Sequence, residues 1–488
     1  MSAPESPWRS RAGLALLTDF YELTMMAGYL KEGRVDQQAC FEYFFRSLPP
    51  HAGFGVCAGL EPFLNYLENL RFEEDDLAYL SSLDVFSDEF IKYLRAFRPA
   101  CTVRAVPEGT VVFPHEPLVV IEGSIFEAQL LETALLNFLN HQTLIATKAA
   151  RICLAAEGDP VMDFGLRRAH GPDGGLSGSR AAHIGGCATT SNVLAGKVYG
   201  IPVAGTHAHS WVMSFPSEYE AFKAFAAAFP KRCTMLVDTY DTIRSGVPNA
   251  IRVFKEMHAE GQMTRPAIRL DSGDLAKLSK QAWKLMRDAG FDDPLIVASN
   301  DLDEDLIADL KRQGARINAW GVGTHLLTAF DCPALNGVYK LVAAKENGAW
   351  RPRIKISSNL AKATDPGHKR LVRYYAPGGN PLGDVAYGDD ETFPESGAIA
   401  GRDRVLPHRT ARLAPAASCE DLLNTVFENG RRVGQSPPIA EVRDRAQAQI
   451  QALPEEFKRL RNPEIYKVLL SDQLGELKES MMANGNEA

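Results

Sequence analysis

The sequence has no membrane-length apolar run, no paired-cysteine motif and no excess of basic charge, and each absence removes a class of protein. Its eight cysteines, Cys40, Cys57, Cys101, Cys153, Cys187, Cys233, Cys332 and Cys419, are scattered, with no C-x-x-C pair. Neither a zinc site nor a disulfide framework is therefore expected, and reduced thiols in a cytoplasmic protein are. The most apolar helical stretch, residues 126–145, is broken by Glu127, Glu132 and several amides, so no membrane span is expected. Residues 1–11 carry arginines, but only the short run 14–17 follows before Asp19, too little for a signal peptide. With 53 basic against 61 acidic residues and a net charge of −8, non-specific binding to nucleic acid or to an anionic membrane is not expected. A local basic pocket for phosphates remains open. No internal repeat or low-complexity tract is present.

What the chain does have is ordinary globular composition, 45% hydrophobic and 23% charged over 488 residues, enough for two or three domains. Residues 1–123 mix signals. A helix is expected over 20–30 and a strand over 40–46, with short β-prone runs at 102–106, 110–113 and 118–122. Ser124-Ile-Phe-Glu127 is a capping box ahead of one long helix, or two, reaching about residue 155. From there apolar runs alternate with helical stretches. The runs are Val161-Met-Asp-Phe-Gly165, Ile201-Pro-Val-Ala-Gly205, Thr234-Met-Leu-Val-Asp238, Ala267-Ile-Arg-Leu-Asp271, Leu295-Ile-Val-Ala-Ser299, Ala319-Trp-Gly-Val-Gly323 and Val338-Tyr-Lys-Leu-Val342. Repeated β-then-α units predict a parallel sheet covered by helices, and seven strands without reversal favour a closed or nearly closed barrel. After residue 352 the regularity ends, with loops at 376–383 and 412–418 and helices over 440–453 and 464–482. The expected domains are 1–123, an N-terminal α/β domain; 124–352, the barrel; and 353–488, a C-terminal extension.

In a parallel barrel the chemistry gathers at the C-terminal strand ends. Those ends read Asp163-Phe-Gly-Leu-Arg-Arg168, Gly205-Thr-His-Ala-His-Ser210, Asp238-Thr-Tyr-Asp241, Arg269-Leu-Asp-Ser-Gly-Asp274, Ser299-Asn-Asp301 and Gly321-Val-Gly-Thr324. Arginines fork onto phosphate oxygens, carboxylates hold Mg²⁺, and glycines let backbone N–H groups approach anions. The mixture suits a polyphosphate with a divalent metal. Plainer roles stay open residue by residue. Asp238, Asp241, Asp271 and Asp274 can each cap the helix after its strand, Arg167 and Arg168 can be a surface pair, and His207 can pack or cap.

These motifs resemble the nicotinate phosphoribosyltransferase family. So do Leu17-Thr-Asp-Phe-Tyr-Glu-Leu-Thr-Met25, Ile145-Ala-Thr-Lys-Ala-Ala-Arg151, Gly171-Pro-Asp-Gly-Gly175, Ser191-Asn-Val-Leu-Ala-Gly-Lys197 and Gly337-Val-Tyr-Lys-Leu-Val342, collinear from about residue 14 to about 470. The resemblance implies a type II phosphoribosyltransferase fold: an irregular parallel α/β barrel with an N-terminal α/β domain and a C-terminal extension. It implies a homodimer that joins nicotinate to phosphoribosyl pyrophosphate, coupled to ATP hydrolysis in the presence of Mg²⁺, as the first step of NAD synthesis from nicotinate. The G-T-x-A-H motif places the family's phosphohistidine at His209, with His207 at its variable position. Nicotinate contacts carry over to Tyr21, Thr206 and Arg269. Phosphoribosyl pyrophosphate contacts fall on Thr324, Gly323, Arg167 and Asp271, and metal-ligand candidates on Asp271 and Asp241. A nicotinamide-specific enzyme, a quinolinate phosphoribosyltransferase, a barrel lyase with Lys340 as Schiff base and a non-catalytic paralogue are the alternatives. Roles for His170 and His183 stay open.

Overall fold

The computed structural model describes residues 14–262, 265–357 and 362–485; the basic stretch 1–11 lies outside them. The chain forms two compact units, one of Lys148–Pro333 and one made of the described residues up to Thr147 together with those from Ala334 onward.

The first unit holds a six-stranded sheet in the order Thr189–Thr190, Val161–Asp163, Ala319–Val322, Leu295–Ser299, Ala267–Leu270, Thr234–Leu236. Every neighbouring pair is parallel. A further parallel bridge joins Thr190 to Val203, so the apolar run 201–205 contributes one bridged residue rather than a full strand. Val338–Val342 is not a barrel strand: it belongs to Gly337–Glu346, which pairs antiparallel with Gln38–Phe45 in the other unit. An apolar run of that length signals burial but not strand direction. The α/β barrel is thus real and irregular.

The intervening helices follow local rules. Ser217, Asp274 and Asp303 each accept a backbone N–H at the start of Glu218–Ala228, Leu275–Asp288 and Glu304–Arg312. Asn192 caps Val193–Tyr199 by accepting from the Ala195 N–H at 3.2 Å, and its amide also donates to Gly175 O and Ser179 Oγ. That explains the asparagine in the Ser191–Lys197 motif. Two glycines answer to close packing. A Cβ at Gly246 would stand 1.8 Å from Val237 O, and one at Gly321 would stand 2.6 Å from the Phe164 ring.

The second unit carries two larger sheets. The first is seven-stranded, in the order Ala349–Pro352, Gly337–Glu346, Gln38–Phe45, Val119–Ser124, Thr102–Ala105, Asn424–Glu428, Arg431–Arg432. The second is six-stranded and comes wholly from the C-terminal part: Thr410–Arg412, Ala400–Asp403, Val468–Leu470, Pro381–Gly388, Lys369–Tyr375, Ser418–Asp421. The loop expected at 376–383 is the hairpin turn between two of these strands. The helix expected over 464–482 is instead the strand Val468–Leu470 followed by the helix Asp472–Gly485. Ser124 caps Ile125–Leu130 by accepting from Glu127 N, but the Glu127 carboxylate accepts from Ala100 N and Cys101 N rather than closing the expected box, and Glu132–Ala155 continues behind it.

Between the two sheets' segments lies a dry charged cluster. Arg373 forks onto Asp384 at 2.9 and 2.7 Å, Tyr466 donates to Asp384 at 2.9 Å, and Glu116 stands 3.7 Å from the same guanidinium. Burial alone would raise the Asp384 carboxyl, but Arg373 holds it below its ordinary value. Arg373→Met strands Asp384 without its cation, and the expected loss is about 3–5 kcal/mol, read as a lower denaturant midpoint. Arg373→Met with Asp384→Leu recovers much of that loss, because the desolvation penalty goes with the pair.

Candidate active site

Parallel strands deliver their C-terminal ends to one rim, and in the Lys148–Pro333 unit that rim is polar. Three apolar strands each run into an aspartate. Asp163 is 1% exposed and accepts from Ser179 Oγ and Thr190 Oγ1 at 2.7 Å and from Gly165 N at 2.8 Å. Burial raises its carboxyl while these donors oppose the shift. It anchors the short turn Leu166–Arg168 that carries Arg167 outward.

Asp238 follows Thr234–Leu236 with its side chain 1% exposed. Its Oδ2 accepts from Asp271 N at 2.8 Å and Ser272 Oγ at 2.7 Å. Its Oδ1 is buried with no hydrogen-bond partner and stands 3.9 Å from His209 Nε2. Asp271 Oδ2 is 3.8 Å from the same nitrogen, and its Oδ1 accepts from Ser299 Oγ. On the other side of the ring, His209 Nδ1 is 3.1 Å from Thr239 Oγ1. His209 opens the short helix His209–Met213 and is 39% exposed. The imidazole is therefore faced by residues of two strand ends and still reachable.

Arg269 points its guanidinium to the same rim and donates from Nη1 to Thr206 Oγ1. Its Nε is buried without a partner. Burial lowers its pKa first; Asp271 and Asp238 act against that, and Arg167 lowers it again. The last influence means that the Arg167 charge is felt at Arg269. A buried cation with an unmade donor is a natural receptor for a planar anion.

Of the residues read from the sequence, the structure thus gathers His209, Thr206, Arg269 and Asp271, while Arg167 stands exposed on the turn Leu166–Arg168. Gly323 and Thr324 stand at the end of Ala319–Val322, where Thr324 Oγ1 is 3.4 Å from Asp301 Oδ1. Asn300 and Asp301 on the neighbouring strand end hold φ of 109° and 35°, conformations L-residues adopt only under local constraint. Asp241 accepts from Ile243 N and Arg244 N through Oδ1 as an N-cap, the plainer of its two roles, while its Oδ2 is not engaged in that cap. Asp274 likewise caps, accepting from Lys277 N at 3.0 Å. His170 sits exposed at the N-cap position of Gly171–Ile184, and His183 is buried with Nδ1 2.8 Å from Cys187 O.

Tyr21 belongs to the other unit, on the helix Phe20–Lys31, and is 45% exposed. Its neighbour Glu22 is fully buried, accepting from Thr18 Oγ1, from Thr133 N at 3.0 Å and from Thr133 Oγ1 at 2.8 Å. This fixes the helix to the start of Glu132–Ala155. Burial pushes the Glu22 carboxyl up to about 7 from an ordinary 4.5. The folded protein then holds this proton more tightly than the unfolded chain, so the contact's contribution is full below the ordinary value and fades as pH rises through about 7. Glu22→Gln should flatten that decline. Melting temperatures of the two proteins between those limits check it. Lys340 is also in this unit, donating to Tyr339 O at 2.6 Å and 3.7 Å from Glu132. It stands on no barrel strand, which removes the reason for a Schiff-base reading.

Asp238, Thr239 and Ser299 stand in the strand-end motifs without a substrate or metal role assigned to them, and the structure adds them to the candidate site. The signal available was the shared pattern of an apolar strand closing on aspartate in Val161-Met-Asp163, Leu236-Val-Asp238 and Arg269-Leu-Asp271.

Comparison with known proteins bears on this geometry. The nicotinate phosphoribosyltransferase N-terminal domain matches residues 16–140, the nicotinate phosphoribosyltransferase family residues 160–378, and the C-terminal domain residues 368–478. Nicotinate phosphoribosyltransferase of Bacillus subtilis (strain 168) is 46% identical over 464 residues, covering 94% of this chain and 93% of that one. The Homo sapiens protein of that name is 36% identical, covering 99% of each. The crystal structure of human nicotinic acid phosphoribosyltransferase superposes with a TM-score of 0.84 at 34% identity, covering 95% of this chain and 99% of the other. On matches that run through nearly its whole length, this chain belongs to the nicotinate phosphoribosyltransferase family.

Proposed function

We propose that this protein joins nicotinate to phosphoribosyl pyrophosphate, giving nicotinate mononucleotide and pyrophosphate, and that it couples the reaction to ATP through phosphorylation of His209. The observation that carries the reading is the reachable His209 Nε2 held 3.9 Å from Asp238 and 3.8 Å from Asp271, on the rim that also carries the open guanidinium of Arg269.

The nucleophile in this reading is Nε2. In the tautomer whose Nδ1 proton is donated to Thr239 Oγ1, the imidazole keeps the Nε2 lone pair free. In the coupling step a bond forms between Nε2 and the γ-phosphorus of ATP, the bond to the bridging oxygen breaks, and ADP leaves. Water later releases the phosphate. In the transfer step the ribose C1–oxygen bond to pyrophosphate breaks and a bond to the pyridine nitrogen forms. Arg167 steadies the negative charge growing on the leaving group, with Gly323 and Thr324 as further phosphoribosyl contacts. Arg269, with Thr206, receives the nicotinate carboxylate.

The residues also fit Mg²⁺. Asp238 Oδ1 is a buried oxygen without a partner, and Asp271 Oδ2 faces the same nitrogen. Two such carboxylates suit an ion completed by substrate phosphates. When bound, Mg²⁺ supplies charge neutralisation for those phosphates.

The exposed apolar residues Phe20, Tyr21 and Met25 on Phe20–Lys31 support a homodimer. Free thiols at Cys40, Cys57, Cys101, Cys153, Cys233 and Cys419 support a cytoplasmic setting. No helix among the described residues is long and apolar enough to cross a membrane.

The test is product formation from each base with phosphoribosyl pyrophosphate and Mg²⁺, with and without ATP. Nicotinate mononucleotide formed faster with ATP is the expected result. Turnover of nicotinamide alone would move the protein to the sister specificity, and inactivity on both would overturn the proposal.

A further inference from the structure

The barrel sheet has a gap in its backbone ladder. On one side Thr190 bridges Val203, and on the other Thr234–Leu236 pairs with Ala267–Leu270. No ladder among the described residues joins the segment after Val203 to Thr234–Leu236. His207 crosses the gap to the strand itself, ahead of the His209–Thr239 contact at the strand's end. His207 Nε2 accepts the Leu236 N–H at 3.2 Å. Leu236 is fully buried, so without this acceptor its N–H would be an orphan away from water.

The imidazole is built for that task. It is 8% exposed, its ring meets Phe225 edge-on at 4.7 Å, and its Nδ1 is 3.3 Å from Ala208 O. The proton on Nδ1 thus has an acceptor, and Nε2 keeps its lone pair for Leu236. Burial, opposed by the Ala208 carbonyl, lowers its pKa to about 4, so the ring stays neutral and accepting. Its position matters more than its chemistry. Two residues beyond His207 is His209, and two residues beyond Leu236 is Asp238, whose Oδ1 faces His209 Nε2. Thr239, which meets His209 Nδ1, follows at once.

We propose that His207 is a positioning residue, the cross-link that sets the register between His209 and the Asp238–Thr239 strand end. This inference rests on the reading of His209 as the phosphoacceptor. It assigns His207 no contact with substrate. It predicts a specific defect: the phosphorylated histidine forms slowly, while base and phosphoribosyl binding persist.

The experiment uses the full chain with ATP, Mg²⁺, nicotinate and phosphoribosyl pyrophosphate, comparing wild type, His207→Phe and His207→Gln. Phenylalanine fills the space without an acceptor; glutamine returns an amide oxygen near the place of Nε2. His207→Met repeats the acceptor loss with a flexible side chain should the phenylalanine protein not fold. The expected result is a ~tenfold or greater fall in the rate of His209 phosphorylation and in ATP-stimulated kcat for His207→Phe, since small misplacements of a reacting group cost that much. KM for nicotinate and the ATP-independent rate stay within ~twofold, as expected when ground-state binding is untouched. His207→Gln recovers most of the loss. Full ATP stimulation in His207→Phe, or an equal fall in ATP-dependent and ATP-independent rates that glutamine does not restore, overturns the proposal. A wild type that ATP does not stimulate overturns the phosphoacceptor reading itself, which is a separate and visible outcome.

Discussion

His209→Ala should abolish the stimulation of nicotinate mononucleotide synthesis by ATP and leave the slower, ATP-independent transfer in place. The imidazole is held from one side by Thr239 and faced from the other by Asp238 and Asp271. Alanine removes the nucleophile without touching Arg269 or Thr206, whose mutual hydrogen bond does not involve His209. The ATP-stimulated rate is expected to fall ~tenfold or more, which corresponds to about 1.4 kcal/mol or more of lost activation. Asp238→Asn should give a partial version of the same defect. It keeps an acceptor for the Asp271 N–H but halves the negative charge facing Nε2. Steady-state rates with and without ATP check both. Equal loss of the two rates in His209→Ala would mean that the ring supports substrate binding instead.

The second large effect concerns the choice of base. Arg269→Gln should lower kcat/KM for nicotinate by ~100-fold or more, about 2.7 kcal/mol, because a charge-assisted pair with the carboxylate is lost. The same change should narrow the preference for nicotinate over nicotinamide. The buried guanidinium has one donor committed to Thr206 and its Nε uncommitted. A neutral amide leaves that cation uncompensated in a site that has already desolvated it, and this penalty is a source of discrimination. Glutamine abolishes the penalty along with the attraction. Competition between the two bases, read as a ratio of kcat/KM values, measures it. An unchanged ratio would place the specificity elsewhere.

Sequence patterning reveals the parts of this molecule that local rules control. Helix starts at Ser124, Asp274 and Asp303 follow from capping chemistry, and each accepts the expected backbone N–H. Five of the apolar runs between residues 161 and 323 are largely buried strands of the parallel sheet, and the helices between them are what imply that direction. Pairing across long separations is not local. The run at Val338–Val342 looks like its predecessors, yet Tyr339 pairs with Tyr43 in an antiparallel sheet. The C-terminal strands Ser418–Asp421 and Thr410–Arg412 are short and partly exposed, with too few buried positions to stand out from loops. Within the site, spacing cannot separate Asp238 from Asp241. Asp238 turns inward beneath His209, whereas Asp241 turns back onto the N–H groups of Ile243 and Arg244. His207 is a sharper instance, since its acceptor role depends on Leu236, which is 29 positions away.

The most direct test of the central claim is to locate the phosphate. The wild-type protein would be incubated with γ-labelled ATP and Mg²⁺, digested under alkaline conditions that preserve phosphoramidates, and its peptides mapped. The account predicts acid-labile label on the peptide containing His209, absent from His209→Ala and discharged when nicotinate and phosphoribosyl pyrophosphate are added. Label on another residue, or ATP-stimulated synthesis with no label on the chain, would contradict it.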